Sequence, residues 1–211
     1  MGWKSFMMLV VVSMSTNLFG GNFEGKIDVT KRTCYDTMYY SYMVKDSIIR
    51  IDNFNTNNIL TTTLLIDLTK QRIIAIDQLH KQYKDLVFTL KENEQSNKYE
   101  IIKTDNTKII NGYKCYQWRV KNREKNSEIA YWVTKDGFYF FNHLMMILGA
   151  NDNYADFFTQ ISDNQGYLPI WAVERTLVRF EKQQILITNI EPKKLEKNLF
   201  NIPPNYNRCS F

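Results

Sequence analysis

Alternation of apolar and polar residues dominates the chain after residue 22. Ile27 and Val29 alternate with Lys26 and Asp28, and a period of two with one charged face is typical of a half-buried strand. Similar short apolar runs recur along most of the chain and predict an antiparallel sheet. The predicted strands are 23–29, 39–45, 48–54, 64–68, 72–77, 86–90, 99–104, 113–121, 129–134, 168–174, 176–181 and 185–190.

Short polar segments separate these runs and predict the turns. Asp46-Ser47 and residues 69–71 each join two apolar runs as a hairpin would. Asn111-Gly112 is typical of a tight turn. The asparagine-rich residues 53–58 predict a loop, and the charged residues 91–98 predict an exposed insertion.

Residues 138–161 depart from the period of two and predict a pair of helices. The first segment, 138–148, is apolar on nearly all sides and must be covered on more than one of them. Gly149 interrupts it, and Asp152 is placed to cap a second helix. The apolar residues of the second helix, at i, i+3, i+4 and i+7, are Tyr154, Phe157, Phe158 and Ile161. We predict a mainly β protein, in which a curved antiparallel sheet wraps against this helical pair.

Residues 1–21 are predicted to be a secretory signal peptide. Lys4 provides a positively charged start, and residues 6–12 form an apolar core that is too short to span a bilayer. A buried N-terminal strand or a retained membrane anchor is the alternative. No cysteine directly follows the apolar run, so lipid attachment is not predicted. We expect a soluble protein exported to the periplasm or beyond, without a transmembrane span and with one domain over residues 22–211.

Composition is that of a globular protein without a nucleic-acid partner. The 44% hydrophobic and 14% aromatic content supplies a sizeable core, and 23% charged residues is ordinary. The net charge of +5 is spread along the chain. Lys121, Arg123 and Lys125 form the nearest approach to a basic cluster, but Glu124 interrupts it and no nucleic-acid-binding motif accompanies it.

Three cysteines follow the predicted signal peptide. Cys34, Cys115 and Cys209 are an odd number, so at least one thiol is unpaired or pairs between chains in an oxidising compartment. Their spacing fits no zinc motif. A bridge between Cys115 and Cys209 could tie the C-terminal tail to the sheet, but spacing alone does not decide the connectivity.

A series of short phrases runs in a fixed order from about Phe23 to Arg208. These phrases are Tyr42-Met-Val-Lys-Asp46, Ile49-Arg50-Ile51, Ile66-Asp67-Leu68, Lys81 with Tyr83, Ile110-Asn-Gly-Tyr-Lys-Cys115, Trp132-Val-Thr-Lys-Asp136, Leu168-Pro169, and Phe200-Asn-Ile-Pro203 with Tyr206. Their order and spacing resemble an exported bacterial family, the domain of unknown function 4412. The sequence departs from the family at Lys45-Asp46-Ser47, which lacks the usual glycine, and at Pro204, where the family tends to have glycine before tyrosine.

The resemblance implies a fold similar to that of the LolA and LolB lipoprotein carriers. In that fold an incompletely closed antiparallel barrel has a concave apolar face that helices cover. The resemblance implies no established activity, because the family is named for lacking one.

The residues offer little for catalysis. His143 lies in the apolar helix, where a packed or hydrogen-bonded imidazole is expected, and His80 lies in a polar segment, where it is expected to be solvated. Asp52, Asp67 and Asp77 each follow an apolar run and could form an acid and base pair or share a cation. Aspartate more commonly ends strands because it forms local turn hydrogen bonds. We therefore predict no enzyme activity, no metal and no cofactor.

The remaining candidate site is an apolar space between the sheet and the helices. The concave surface of an unclosed barrel could accept an acyl chain of a lipid or lipoprotein. The candidate lining residues are Tyr42, Ile49, Ile66, Ile74, Trp118, Trp132, Phe140 and Met145. The alternative is a filled core, in which case the protein is an interaction module of the cell envelope that binds a protein partner through an exposed edge strand or aromatic patch.

Overall fold

The computed structural model describes residues 23–87, 97–149 and 152–209. The predicted signal peptide, residues 1–21, lies outside this part of the chain, as do most of the predicted strand 86–90 and most of the predicted insertion 91–98.

Within the described residues the chain forms strands and two short helices. The strands are β1 (Gly25–Thr33), β2 (Thr37–Lys45), β3 (Ile48–Phe54), β4 (Leu60–Asp67), β5 (Arg72–Asp77), β6 (Gln82–Leu86), β7 (Tyr99–Ile110), β8 (Tyr113–Asn122), β9 (Ser127–Lys135), β10 (Tyr167–Arg175), β11 (Glu181–Pro192) and β12 (Asn207–Arg208). The helices are α1 (Tyr139–Leu148) and α2 (Asn153–Thr159). A single 3-10 turn, Lys197–Phe200, precedes the C-terminal tail.

All of these strands belong to one sheet that does not close. Its order is β12-β6-β5-β4-β3-β2-β1-β11-β10-β9-β8-β7. Each pair is antiparallel except β12 with β6, which is parallel. The two edge strands, β12 and β7, do not pair with each other. The predicted mainly β fold, an incompletely closed antiparallel barrel covered by helices, is confirmed.

The helices cover the apolar face of the sheet and complete the core. Phe157 and Phe158 of α2 and Leu144 of α1 are fully buried. The ring of Phe158 lies 5.6 Å from that of Tyr131 on β9 and 5.2 Å from that of Phe141 on α1. The Tyr131 hydroxyl donates a hydrogen bond of 2.7 Å to the Tyr154 carbonyl. These edge-to-face ring contacts and the hydrogen bond together fix α2 against the sheet.

The first turn of α2 is capped as predicted. Asp152 has extended backbone angles, and its Oδ1 accepts the N–H of Tyr154 at 2.9 Å. An acceptor at this position satisfies a backbone donor that has no partner within the helix. No helix in the described residues is long and apolar enough to cross a bilayer.

Several strand predictions were wrong. β1 continues to Thr33, β4 begins at Leu60 and β11 begins at Glu181, all beyond the predicted bounds. The separate strand predicted at 176–181 is mostly the turn between β10 and β11, where Arg179 has a φ of 73° and the Phe180 carbonyl accepts the Thr176 N–H. The strand predicted at 99–104 continues to Ile110, and its register shifts between Lys103 and Thr107. Neither a local turn nor a bulge changes the hydrophobic pattern, so the pattern does not reveal it.

The three cysteines all lie in the described part of the chain, and none forms a disulfide. Cys115 is buried on β8, near one edge of the sheet. Cys209 follows β12, the opposite edge, and its thiol donates to Gln82 Oε1 at 2.9 Å. The bridge considered between Cys115 and Cys209 is therefore wrong, because both thiols are free.

Thiol reactivity should distinguish these cysteines. Burial raises the pKa of the Cys115 thiol to about 11, so at pH 8 it has little thiolate and no access to reagent. Cys34 is exposed and should react rapidly. In a timed assay with a chromogenic disulfide, we expect Cys115 to react only after denaturant is added. Rapid labelling of the folded Cys34→Ser/Cys209→Ser variant, in which Cys115 is the remaining thiol, would contradict this placement.

Candidate functional site

A cavity of about 280 Å³ lies between the sheet and the helices. Its walls come from strands β1 to β4, β10 and β11, and from both helices. The lining residues are Ile27, Val29, Lys31, Tyr40, Tyr42, Ile51, Leu64, Phe141, Met145, Leu148, Asp152, Tyr154, Ala155, Leu168, Ile185 and Ile187. Most of these side chains are apolar, so the interior is suited to an apolar ligand.

The periodicities of strand and helix place these side chains. Ile27, Val29 and Lys31 are alternate residues of β1 and therefore point to one face of the sheet. On α1, Phe141, Met145 and residue 148 recur at i, i+4 and i+7 and share the face turned toward that sheet. The cavity is the space that these two apolar surfaces leave unfilled.

An ion pair marks the polar end of the cavity. Lys31 Nζ lies 2.9 Å from Asp152 Oδ2, and the two side chains are 21% and 35% exposed. This end is therefore the one that reaches water. Asp152 uses its other oxygen, Oδ1, to cap α2, so one carboxylate both begins the helix and contacts the cavity.

Tyrosine hydroxyls supply the other polar groups of the cavity. Burial raises the pKa of Tyr40, Tyr42 and Tyr154 above the usual value for a phenol, and the carboxylate of Asp152 adds to each shift. All three remain neutral at physiological pH and can donate a hydrogen bond. The rings of Tyr40 and Tyr42 lie 6.5 Å apart, edge to face.

The eight residues predicted to line the site occupy different places. Tyr42 and Met145 line the cavity. Ile49, Ile66, Trp118 and Phe140 are buried in the surrounding core. Trp132 is partly buried and stacks with Trp171, at 6.5 Å between ring centroids. Ile74 packs with Leu65 and Ile76 in a second, smaller core.

Several lining residues were not predicted. Ile27 and Val29 have a sequence signal, because they belong to the clearest alternation in the chain. Ile185 and Ile187 lie opposite β1 in the neighbouring strand, Lys31 pairing with Ile185. The ion pair of Lys31 with Asp152 has no local signal, because 121 positions separate the two residues.

The candidate histidines and aspartates do not line the cavity. His80 Nδ1 lies 2.8 Å from Asp77 Oδ2, but both side chains are exposed in a turn. His143 lies on the exposed outer side of α1, and its Nδ1 is 3.4 Å from the Tyr139 carbonyl oxygen. The Oδ1 atoms of Asp67 and Asp77 accept backbone N–H groups in turns at opposite ends of the sheet. Among the described residues, no group of three or more His, Cys, Asp or Glu side chains could hold a metal ion.

Comparison with solved structures shows a shared fold at low sequence identity. An uncharacterized conserved protein from Thermus thermophilus aligns with a TM-score of 0.57 and 6% identity, over 87% of this chain and 88% of that one. A chain of the Pseudomonas aeruginosa MucA/MucB complex aligns with a TM-score of 0.51 and 8% identity, over 83% of this chain. MucB alone gives a TM-score of 0.50 and 10% identity, over 89% of this chain.

This chain spans 54% and 59% of those two chains, respectively. At such low sequence identities, the similarity shows a shared fold and nothing beyond it. No protein of curated function matches the sequence. The sequence profile described as Domain of unknown function (DUF4412) matches residues 23–206. The match covers β1 to β11 and both helices and ends just before β12, so the chain belongs to the DUF4412 family.

Proposed function

We propose that this protein is an exported, non-enzymatic carrier that binds one acyl chain of a lipid or lipoprotein in the cavity between sheet and helices. The observation that carries the proposal is the apolar cavity of about 280 Å³. The proposed location is the periplasm or the extracellular space, where the protein acts without a lipid anchor.

The size of the cavity favours a single chain. An apolar protein cavity of about 150 Å³ accommodates benzene, and this one is nearly twice as large. It therefore suits a single alkyl chain of moderate length and is too small for the two chains of a phospholipid. Each methylene that leaves water contributes about 0.8 kcal/mol, so a bound chain of this kind needs no covalent attachment.

The polar end suits the head of such a chain. Lys31 and the neutral phenols of Tyr40 and Tyr42 can donate hydrogen bonds to an ester carbonyl or a carboxylate. The carboxylate of Asp152 already balances the charge of Lys31. The bound tail would therefore lie among Ile27, Val29 and their neighbours, with its head near Lys31.

A substitution that fills the cavity should abolish binding. Met145 is buried and lines the cavity, whereas its neighbour Met146 is 38% exposed on the outer side of α1. Loss of contact with only two methylenes weakens binding by about tenfold. We expect native mass spectrometry of protein purified from membranes to show a co-purifying lipid for the wild type and for Met146→Trp, but none for Met145→Trp. Circular dichroism should confirm that both variants fold.

An interaction module of the cell envelope is the second candidate. The long edge strand β7 pairs only with β8 and exposes Ile101 and Ile102, so a partner strand could extend the sheet there. The solved MucA/MucB complex has a chain of similar fold with a protein partner. Two results together would favour this candidate and contradict the carrier. Native mass spectra of the wild type would show no lipid, and β7 would cross-link to a defined envelope protein equally well in the wild type and in Met145→Trp.

A further inference from the structure

Five turns lie at the same end of the sheet. Because neighbouring strands are antiparallel, the turns that follow β1, β3, β5, β8 and β10 all emerge at one end. The other turns emerge at the opposite end. Along the sheet the order of the five is the β5–β6, β3–β4, β1–β2, β10–β11 and β8–β9 turns.

Four of these five turns expose large apolar side chains. These side chains are between 58% and 95% exposed, and together we name them the apolar rim. The apolar rim consists of Leu79 in the β5–β6 turn, Ile59 in the β3–β4 turn, Tyr35 in the β1–β2 turn, and Val178 and Phe180 in the β10–β11 turn. A single exposed apolar residue is ordinary, but here four neighbouring turns each expose at least one.

The backbone of each turn is fixed in the same way. A polar side chain at the start of the turn accepts the N–H of a rim residue. The pairs are Thr33 with Tyr35 at 3.2 Å, Asn55 with Ile59 at 2.9 Å, Asp77 with Leu79 at 2.9 Å, and Thr176 with Phe180 at 3.0 Å. The turns are ordered structures that hold their apolar side chains away from the core.

Exposed basic side chains accompany the apolar rim. Arg32 beside the β1–β2 turn, Lys81 in the β5–β6 turn and Arg123 in the β8–β9 turn are exposed and form no ion pair with any other described residue. The other basic residues at this end, Lys125, Arg175, Arg179 and Lys182, pair with carboxylates. Cations without a counter-charge attract an anionic surface.

The water-accessible end of the cavity faces the same direction. Lys31 lies two residues before Thr33, whose side chain accepts the Tyr35 N–H in the β1–β2 turn. Two residues of an extended strand span about 7 Å. Its partner Asp152 begins α2 beside it. The polar end of the cavity therefore lies next to the apolar rim.

From this arrangement we propose that the apolar rim inserts into the surface of an anionic lipid bilayer. Insertion of isolated apolar side chains among lipid head groups, supported by basic residues, is how many proteins bind membranes reversibly. The docking goes beyond the carrier function, since it requires the five exposed side chains and not an occupied cavity.

The spacing of the rim favours a bilayer over a protein partner. Successive turns are separated by two strands, or about 10 Å, so the four apolar turns extend over roughly 30 Å. Polar and charged turn residues lie between the apolar ones. A protein interface needs a contiguous, well-packed apolar centre, whereas a bilayer receives each side chain separately.

Vesicle co-sedimentation of the full chain tests the docking. The rim variant Leu79→Ser/Val178→Ser removes two side chains that are 80% and 84% exposed, in two different turns. The matched control, Val87→Ser/Ile109→Ser, removes two comparably exposed side chains at the opposite end of the sheet. We expect the rim variant to bind vesicles of phosphatidylethanolamine and phosphatidylglycerol about tenfold or more weakly than the wild type, and the control to bind normally.

The outcomes separate docking from the carrier function. Met145→Trp should bind vesicles as the wild type does, so loss of lipid carriage does not remove docking. Equal vesicle binding by the rim variant and the control would overturn the proposal. The proposal would also be overturned if the wild-type protein did not sediment with vesicles and instead used the rim to form dimers or to capture a protein partner. Thermal unfolding at the wild-type temperature would show that the rim variant is folded.

Discussion

Replacing Phe158 with alanine is expected to lower the free energy of unfolding by about 3 to 5 kcal/mol. Phe158 is fully buried, and its ring contacts those of Tyr131 and Phe141, so it joins α2 to both the sheet and α1. Removing the ring loses its burial and leaves an empty space among aromatic groups that cannot easily collapse. Urea denaturation followed by tryptophan fluorescence measures the change.

Phe180→Ala is the matched control for this substitution. Phe180 is the same residue type but is exposed in the β10–β11 turn, so its loss should change the free energy of unfolding by no more than about 0.5 kcal/mol. Equal effects of the two substitutions would show that α2 does not pack as described.

Replacing Asp52 with alanine is expected to cost about 3 kcal/mol. Asp52 is 4% exposed, both its oxygens accept from Arg50 Nε at 2.9 and 3.0 Å, and Thr63 donates to it at 2.6 Å. Its loss leaves the largely buried guanidinium of Arg50 without a counter-charge. Arg50 also donates to the Leu199 carbonyl at 2.8 Å, so the C-terminal tail should loosen as well.

Hydrogen exchange at residues 197–206 and urea denaturation would measure both effects of Asp52→Ala. Glu191→Ala is a suitable control, because Glu191 and Lys193 form an ion pair with side chains 50% and 40% exposed. Exposed pairs of this kind contribute about 0 to 1 kcal/mol. An unchanged exchange rate in the tail of Asp52→Ala would contradict the role of Arg50 in holding it.

The sheet and the helical pair could be predicted because their signals are local. Alternation in residues 26–29 predicts β1, and the spacing of Tyr154 and Phe158 predicts α2. The pattern of α1 was less informative, because a segment that is apolar on nearly all sides does not show which side meets solvent. Tyr139, His143 and Met146 prove to form its outer face.

The cavity was harder to predict because it depends on what the core leaves unfilled. Alternation shows that Ile49 and Ile27 each point to one face of a strand, but it cannot show that Ile49 packs against its neighbours while Ile27 lines a space. To predict the fold, it is enough to know which face of its strand or helix each residue occupies. To predict the cavity, one must also know how the volumes of side chains that are distant in sequence fit together. The pairing of Lys31 with Asp152 depends on the same distant contacts.

The two oxygens of Asp152 have a kinetic consequence. Because Oδ1 caps α2 and Oδ2 binds Lys31, the lysine can swing away without unwinding the first turn of the helix. Rotation of an exposed side chain takes picoseconds to nanoseconds, whereas local unfolding takes microseconds to seconds. The proposed ligand could thus enter or leave while both helices remain folded over the cavity.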